Sequence, residues 1–507
     1  MAIGTYEAYV ERLRKMKPNV YIKGEKVDRT GDWINGGLYV IRQTFDCAND
    51  PAYQDVCVAT SHLTGEKISR YTHIHQSCDD LLKKQLMTRL LCHRVGGCIQ
   101  RCMGNDALNA LAVVTYDMDQ ALGTEYNKRF LNYLLYNQAN DLVANCAQTD
   151  VKGDRLKRPH EQADPDLYVR IVDVKPDGII VRGAKCCNSI APYADEIIVT
   201  PTRFMSSKDA AYAVSFALPA DWEGVKLIAV PGLQHKRNHI TAPVADVGDV
   251  ESMTIFDDVF VPNERVFMNG LENPGVVQYA GYLALMFAHF HRHSYTGCKT
   301  AVSEVLASQA ALAAEYNGIE KADHVKEKIS HIIGTAELVF AAGQASAYRG
   351  VKFPSGSFVP DEILTNAGRR IAGEEIYNEY KILADLAGGI SATLPMETEF
   401  YSEEVGPLVN KYMKRNPNIS DEDTHRCFRM LENQLCSHFS GTQMVAGLMG
   451  GGSPQMETIA MMGAYDLEAL KNIAKYIAGI NKELLRYERP TVTPRRMLEK
   501  FKKFEQK

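Results

Sequence analysis

Apolar residues recur at helical spacing over two long parts of the chain. In the first part, residues 79–91 and the run that begins at Phe130 carry apolar side chains three or four positions apart. In the last part, the same spacing covers residues 301–314, 324–348 and 466–486. The pattern predicts amphipathic helices that pack against each other in both parts of the chain.

Between about residues 149 and 278 the pattern changes to short runs rich in β-branched residues. Each run is bounded by Pro, Gly, Asp or Asn, as the strands of a sandwich or barrel are, and the runs cover 167–174, 178–182, 196–200 and 253–256. The sequence therefore predicts an α+β fold that is mainly α. We predict three domains, which are an N-terminal helical domain (1–148), a middle β-barrel or sandwich domain (149–278) and a C-terminal helical bundle with a terminal extension (279–507).

Composition narrows the possible classes of function. The 507 residues include 45% hydrophobic and 23% charged residues, as is ordinary for a globular protein, and the formal net charge is −5. No strongly basic segment is present, which argues against a nucleic-acid partner. No apolar run reaches the roughly 18 residues of a membrane span, and the first residues lack a signal-peptide pattern. We expect a cytoplasmic protein with no membrane partner.

Two of the segments that contain cysteine carry candidate metal ligands. The chain has 12 cysteines, and in a reducing compartment they do not form a disulfide framework. Cys98 and Cys102 are one helical turn apart, and His291 and Cys298 are two turns apart, so we predict that each segment places its two ligands on one face of a helix. Should the two helices meet, three thiolates and an imidazole converge. That donor set suits either an iron–sulfur cluster or a closed zinc site.

Several dense strings resemble those of the 4-hydroxybutyryl-CoA dehydratase/vinylacetyl-CoA Δ-isomerase family. The likeness extends to about residue 480, and its clearest strings are Cys98–Asn109, Thr149–Arg155, Phe256–Arg265, His291–Lys299 and Gly450–Gln455. The resemblance implies a fold like that of the acyl-CoA dehydrogenases and the flavin-dependent 4-hydroxyphenylacetate 3-monooxygenases. It also implies a homotetramer, FAD, a [4Fe–4S] cluster and an acyl-CoA substrate.

The same resemblance assigns expected roles to individual residues. The cluster ligands it implies are Cys98, Cys102, His291 and Cys298. The catalytic residues it implies are His291, Tyr295, Lys299, Glu251 and Gln100, and the flavin-binding residues are Thr149, Asp150, Lys152 and Ser189.

The chain departs from the family pattern near its C-terminal glycine-rich string. Ala446 stands where the family has a glutamate, and Met449 stands where it has a histidine. Glu457 compensates for the missing carboxylate only if the backbone returns it to the site. Cys186 and Cys187 also replace small and polar residues near the expected flavin loop. These departures bear on the substrate and the dehydration step more than on the cofactors.

The resemblance implies dehydration of a 4-hydroxyacyl-CoA, 4-hydroxybutyryl-CoA to crotonyl-CoA being the expected case, together with vinylacetyl-CoA isomerisation. Loss of the α-proton and a one-electron oxidation give an enoxy radical with an acidic Cβ–H, and the ketyl radical that follows expels the γ-hydroxyl. Three alternatives remain at this point. They are a dehydratase or isomerase of a different acyl-CoA, a flavin-dependent aromatic monooxygenase, and a non-catalytic oligomer stabilised by zinc.

Overall fold

The computed structural model describes residues 3–232, 237–487 and 489, and in these ranges the fold is mainly helical with several small sheets. The predicted fold class is confirmed at this level. The α-helices are α1 (Tyr6–Lys15), α2 (Asn35–Asn49), α3 (Gln54–Cys57), α4 (Cys78–Val95), α5 (Cys102–Leu122), α6 (Tyr126–Asn140), α7 (Pro243–Asp246), α8 (Val277–Tyr316), α9 (Asp323–Tyr348), α10 (Glu362–Ala387), α11 (Ile390–Thr393), α12 (Glu397–Phe400), α13 (Gly406–Met413), α14 (Asp421–Cys436), α15 (His438–Met449), α16 (Pro454–Ala464) and α17 (Leu467–Ile477).

The helices predicted over 79–91 and 324–348 are confirmed, and two others differ in length. The helix expected over 301–314 is the C-terminal part of α8, which begins at Val277. Residues 277–300 are buried on nearly all sides, polar residues such as His291, Arg292 and Lys299 included, so they lack the exposed polar face that marks an amphipathic helix. The helix expected over 466–486 ends at Ile477, and Gly479 with a φ of +69° follows.

The strands form two main sheets and two short hairpins. They are β1 (Val20–Ile22), β2 (Glu25–Val27), β3 (Val58–Thr60), β4 (Lys67–Ser69), β5 (Ala144–Ala147), β6 (Arg170–Lys175), β7 (Gly178–Lys185), β8 (Glu196–Val199), β9 (Val214–Pro219), β10 (Val225–Pro231), β11 (Val250–Pro262), β12 (Val266–Asn269), β13 (Val351–Lys352) and β14 (Phe358–Val359). The larger sheet has the order β2-β1-β10-β11-β7-β6, and the smaller has β12-β9-β8-β5. The hairpins are β3-β4 and β13-β14.

The N-terminal part of the chain contributes strands to both sheets. β1 pairs in parallel with β10, and β5 pairs in parallel with β8. Phe216 of the smaller sheet packs edge-on against Phe256 of the larger one, with ring centroids 5.5 Å apart. The two sheets share one hydrophobic core with α5 and the start of α8. A second core lies among α8, α9, α10 and α14.

α8 lies between α4, α5, α9 and α10, and its burial follows from this position. Gly297 permits the close approach of α4, because a Cβ there would lie 2.1 Å from Thr88 Oγ1 and 2.2 Å from the Gln85 carbonyl oxygen. The Gln85 side-chain amide donates to Thr296 Oγ1 at 3.1 Å across the same interface. Among the described residues, no helix is both long enough and apolar enough to span a bilayer.

Candidate metal and flavin site

Three segments bring the predicted sulfur ligands to one buried place. Cys98 precedes α5, Cys102 is the first residue of α5, and Cys298 lies in the middle of α8. The Cys98 and Cys298 thiols interact directly, and this contact, together with burial, raises the pKa of Cys98 well above its usual range. Burial, followed by the nearby Asp106 carboxylate, raises the pKa of Cys102 in the same way.

The segment that carries Cys98 is not helical, which corrects the expectation that Cys98 and Cys102 share a helix face. α4 ends at Val95, and Gly96 closes it with a left-handed φ of +69°. Gln100 also has a positive φ, +57°, and the Cys98 backbone N–H donates to Gln443 Oε1 at 3.1 Å. The Gln100 backbone N–H donates to the Cys98 sulfur within this loop.

His291 is oriented by a buried carboxylate on the facing helix. Its Nδ1 lies 2.7 Å from Asp106 Oδ2, and the Ser294 hydroxyl donates to the other Asp106 oxygen at 2.8 Å. The Lys84 ammonium is 3.5 Å from Asp106. Burial alone would raise the pKa of Asp106, but Lys84 and His291 outweigh it, so the pKa of this carboxyl is lowered.

One ligand atom each from Cys102, Asp106 and His291 lies within 4.8 Å of the others. A neutral imidazole that donates Nδ1–H to Asp106 leaves the Nε2 lone pair free to bind a metal. The donor set fits a thiophilic centre, with sulfur and imidazole nearest and a carboxylate behind the imidazole. By chemistry alone it fits zinc as well as an iron–sulfur cluster.

Tyr295 closes the site on the side of the C-terminal glycine-rich turn. Its ring stands edge-on to the His291 ring at 5.0 Å, and its hydroxyl donates to the Ala446 carbonyl oxygen at 3.1 Å. A Cβ at Gly450 would lie 1.7 Å from the Tyr295 hydroxyl, so only glycine fits there. The Arg369 guanidinium lies over the tyrosine ring and donates to the Gly450 carbonyl oxygen at 2.9 Å. Gly451 and Gly452 have positive φ, so the glycine-rich string forms a tight turn here.

Glu457 is buried on the other side of this turn. Its Oε1 lies 3.6 Å from Arg292 Nε, and neither carboxylate oxygen has a hydrogen-bond partner among the described residues. Burial raises the pKa of Glu457 to about 7 although Arg369 and Arg292 oppose it. The course of the chain therefore places Glu457 beside Arg292, the residue that follows His291. Ala446, in contrast, lies beside Tyr295.

The Lys299 ammonium has hydrogen-bond donors that no described residue accepts. It is 3% exposed, its Nζ has no hydrogen-bond partner in the described ranges, and the nearest carboxylate, Glu379, is 3.9 Å away. Ser303 donates to the other Glu379 oxygen at 2.6 Å. Burial lowers the pKa of Lys299 and Glu379 partly opposes this. A buried cation of this kind is suited to bind a ligand oxygen.

Glu251 approaches the sulfur site from β11 of the larger sheet, and Gln100 lies in the loop between Cys98 and Cys102. Ser189 Oγ lies 2.7 Å and 2.8 Å from the two Glu251 oxygens, and burial raises the pKa of this carboxyl. The Gln100 side-chain oxygen accepts from the Tyr193 hydroxyl at 3.3 Å. Asp249 lies two residues before Glu251 and is 4% exposed, with neither carboxylate oxygen hydrogen-bonded in the described chain. Burial, and then the Glu251 charge, raise its pKa to about 7.

The residues expected to bind flavin lie together at the end of β7. The Cys186 N–H donates to the Thr149 carbonyl oxygen at 2.8 Å, so the loop that holds Lys152 lies beside the loop that leads to Ser189. Asp150 is already engaged, since it pairs with Lys185 at 2.9 Å and accepts the Val169 N–H at 3.0 Å.

Within these loops, the Thr149 hydroxyl and the Lys152 ammonium make no hydrogen bond within the described chain. These two side chains therefore fit the phosphates and hydroxyls of a dinucleotide better than Asp150 does. Next to them, contact with Cys186 lowers the pKa of the exposed Cys187 thiol to about 6.

Sequence reasoning missed Asp106, Asp249 and Cys92. Asp106 lies four residues after Cys102 in α5 and so shares its helix face, a signal that was available. Cys92 lies in α4 and interacts with Cys298. It is six residues before Cys98, and residues six apart do not share a helix face, so the spacing gave no signal. Asp249 lies two residues before Glu251, a spacing that an extended backbone places on one face, so this signal was also available.

Comparison with known proteins places the chain in a family. The model for the N-terminal part of 4-hydroxyphenylacetate 3-hydroxylase matches residues 5–268, and the model for its C-terminal part matches residues 280–479. The 4-hydroxybutyryl-CoA dehydratase/vinylacetyl-CoA Δ-isomerase of Clostridium aminobutyricum is 38% identical over 94% of this chain and 99% of its own. The 4-hydroxyphenylacetate 3-monooxygenase oxygenase component of Thermus thermophilus is 28% identical over 91% of this chain and 95% of its own.

Solved structures agree with these sequence matches. An oxygen-tolerant archaeal 4-hydroxybutyryl-CoA dehydratase from N. maritimus superposes with a TM-score of 0.89, at 34% identity over 96% of this chain and 97% of its own. The oxygenase component of 4-hydroxyphenylacetate 3-monooxygenase complexed with FAD superposes with a TM-score of 0.84, at 25% identity over 94% and 98%.

The fold and the matched models define a member of the 4-hydroxyphenylacetate 3-hydroxylase family, to which the chain belongs. Within it, the predicted resemblance to 4-hydroxybutyryl-CoA dehydratase/vinylacetyl-CoA Δ-isomerase is confirmed, and so is the prediction of an enzyme of that type.

Proposed function

We propose that this enzyme dehydrates a 4-hydroxyacyl-CoA, with 4-hydroxybutyryl-CoA as the first candidate, and isomerises vinylacetyl-CoA, using FAD and a [4Fe–4S] cluster. The observation that carries the proposal is that the Cys98 thiol interacts with the Cys298 thiol and lies near Cys102, whose sulfur is within 4.8 Å of a His291 ring nitrogen. Aromatic hydroxylation does not need such a donor set. The resemblance to the dehydratase favours iron over zinc at this place.

The cofactors supply one-electron chemistry and a Lewis-acidic iron when they are bound. His291 would hold the centre through Nε2 and, once released, would accept the substrate α-proton, since imidazole is the usual acid–base group near neutral pH. Asp106 keeps the ring oriented for both roles through Nδ1. Because Asp106 is ionised, it also stabilises the imidazolium that results.

Two further side chains would bind substrate oxygens. The Lys299 ammonium has unused donors and would hold the thioester carbonyl or the γ-hydroxyl. The Tyr295 hydroxyl, now bonded to the Ala446 carbonyl oxygen, would exchange that acceptor for the substrate. Burial raises the pKa of Tyr295 well above its usual range, so the phenol donates a hydrogen bond without ionising.

Glu251 would pass a proton between the site and Ser189. Its raised pKa means that it holds a proton more readily than an exposed glutamate, and Ser189 is within hydrogen-bond distance of both oxygens. Thr149 and Lys152 would bind FAD in the adjacent loop, and Gln100 would help to orient the substrate.

The residue at 446 favours a second candidate, an isomerase or a dehydratase of a different acyl-CoA. The side chain of Ala446 supplies no carboxylate beside Tyr295, and Glu457 faces Arg292 instead. If loss of the hydroxyl requires that carboxylate, the enzyme would still isomerise a double bond by moving a proton between carbon atoms. It would not dehydrate its substrate. A flavin-dependent aromatic monooxygenase is the remaining candidate, and the four converging donors argue against it.

Anaerobic purification followed by iron, sulfide and flavin analysis tests the proposal. We expect iron, sulfide and flavin together, and activity on 4-hydroxybutyryl-CoA or vinylacetyl-CoA. A yellow protein without iron would support the monooxygenase, and a colourless protein with zinc would support a non-catalytic site. The His291→Cys variant should keep a cluster and lose turnover, and an active variant would remove His291 from catalysis.

Replacement of Ala446 separates the two acyl-CoA candidates. If the missing carboxylate limits dehydration, Ala446→Glu should raise dehydratase activity relative to isomerase activity. Ala446→Gln is the matched control, because it adds nearly the same volume without the charge. Equal effects of the two substitutions would show that the residue acts through size alone.

The homotetramer also remains part of the proposal. Helices α16 and α17 expose large apolar side chains, among them Ile459 and Met462 at 54% and Ile477 at 78%. Apolar side chains clustered on exposed helices support self-association. Sedimentation velocity of the holoenzyme measures the oligomeric state, and a monomer would exclude this part of the proposal.

A further inference from the structure

A second buried carboxyl group lies beside Glu251 on the same face of the larger sheet. Asp249 is the residue before β11, and Glu251 is the second residue of that strand. The pairing with β10 continues past the end of β11, because the Gly232 N–H donates to the Asp249 carbonyl oxygen at 3.0 Å. The backbone is therefore extended at Asp249, and residues two apart on an extended backbone lie on one face, about 7 Å along the strand.

Asp249 also faces a histidine at the surface. Its Oδ1 lies 3.8 Å from Nδ1 of His438, the first residue of α15. A Cβ at Gly232 would lie 3.0 Å from that oxygen and 3.1 Å from that nitrogen, so the two groups come together over a glycine. The His438 side chain is 39% exposed, whereas that of Asp249 is 3% exposed. A buried carboxyl group is therefore separated from solvent by one imidazole.

The contacts of the two carboxyl groups leave them able to exchange protons. Among the described residues, the only ion pair of Asp249 is the one with His438, and neither of its oxygens accepts a hydrogen bond. Tyr193 lies near both carboxyl groups, but its hydroxyl donates to Gln100 Oε1 at 3.3 Å. Two buried carboxyl groups this close disfavour each other's ionisation. Burial raises the pKa of both, to about 7 for Asp249, and a group with such a pKa both takes up and releases protons near neutral pH.

We propose that Asp249 and His438 carry protons between Glu251 and solvent. The inference rests on the proposed function, in which Glu251 transfers protons at the site. In the outward direction Glu251 gives its proton to ionised Asp249, Asp249 gives a proton to neutral His438, and the imidazolium releases it to water. Each bond to hydrogen that breaks is matched by one that forms, and no electron is transferred. The 3.8 Å gap is wider than a hydrogen bond, so transfer requires the exposed imidazole to turn inward or a solvent molecule to bridge. Both residues act through Glu251 and not on the substrate itself.

Deuterium incorporation during isomerisation tests this proton relay. The holoenzyme isomerises vinylacetyl-CoA in D2O, and mass spectrometry measures the deuterium incorporated per product molecule. This ratio does not depend on the amount of active enzyme, so a general loss of activity does not change it. Wild type should incorporate deuterium, because the relay exchanges the proton removed from the substrate with solvent. In Asp249→Asn and in His438→Gln the ratio should fall by about tenfold or more, since a positioned proton carrier contributes about 100-fold or more.

The matched controls are Asp246→Asn and His324→Gln, which remove an exposed carboxylate and an exposed imidazole and should keep the wild-type ratio. A wild-type ratio in Asp249→Asn or in His438→Gln would overturn the inference while the proposed function stands. So would a wild type that turns over without incorporating deuterium, or a fall that the controls share. Wild type without isomerase or dehydratase turnover would overturn the proposed function and this inference together. Near-UV circular dichroism checks each fold, and His438→Gln carries the test if Asp249→Asn fails to fold, because its side chain is exposed.

Discussion

Asp249 should make the stability of the protein depend on pH in a specific direction. It is 4% exposed, neither of its oxygens is hydrogen-bonded within the described chain, and its pKa is raised to about 7 by burial and by Glu251. The groups that face it are Glu251 on the same strand and His438, whose Nδ1 is 3.8 Å from Oδ1. A carboxyl whose pKa is raised on folding binds its proton more tightly in the native state.

The sign and magnitude follow from linkage. The free energy of unfolding falls as the pH rises from the ordinary pKa of 3.8 to the folded value of about 7, and it is flat above. A rise of about three pH units, at about 1.4 kcal/mol for each, amounts to about 4 kcal/mol. Asp249→Asn cannot ionise, so its stability relative to wild type should increase by up to that amount across this window.

Urea unfolding followed by far-UV circular dichroism, at pH values from about 5 to about 8, measures the difference. Asp246→Asn is the matched control, because it removes a nearby carboxylate that is exposed. A constant difference between Asp249→Asn and wild type over the whole range would refute the reasoning. So would a pH dependence that Asp246→Asn shares.

Two further substitutions test the packing around the site. Gly297→Ala should lower the free energy of unfolding by about 1–3 kcal/mol or more, because the new Cβ would lie 2.1 Å from Thr88 Oγ1. Gly334→Ala in α9 should instead stabilise by up to about 1 kcal/mol, since nothing lies within 4 Å of its Cβ. Both are measured by urea unfolding, and equal effects would contradict the close contact of the helices. Asp106→Ala should cost about 3–5 kcal/mol, because it leaves the Lys84 charge buried without its partner. Asp106→Asn removes the same charge and should therefore cost nearly as much, and a clearly smaller cost would show that the unpaired Lys84 charge is not the cause.

Local pattern was sufficient for most of the secondary structure and for part of the site. Helical spacing identified α4 and α9, and the β-rich runs match β6, β7, β8 and part of β11. The pattern failed for the first half of α8, where burial on all sides removes the alternation of polar and apolar residues. It failed again at Cys98, because Gly96 ends α4 and the spacing of Cys98 and Cys102 happens to equal one helical turn.

The sequence by itself determined which donors exist and which family they resemble, because residue type and spacing are properties of the chain. It also contained Asp106 on the same helix face as Cys102. Only the tertiary structure decided that Cys298 and His291, nearly two hundred residues further along, meet Cys98 and Cys102. It alone brought Cys92 to Cys298. The reason is physical, because helix periodicity repeats every few residues, whereas these contacts depend on how closely α4, α5 and α8 pack.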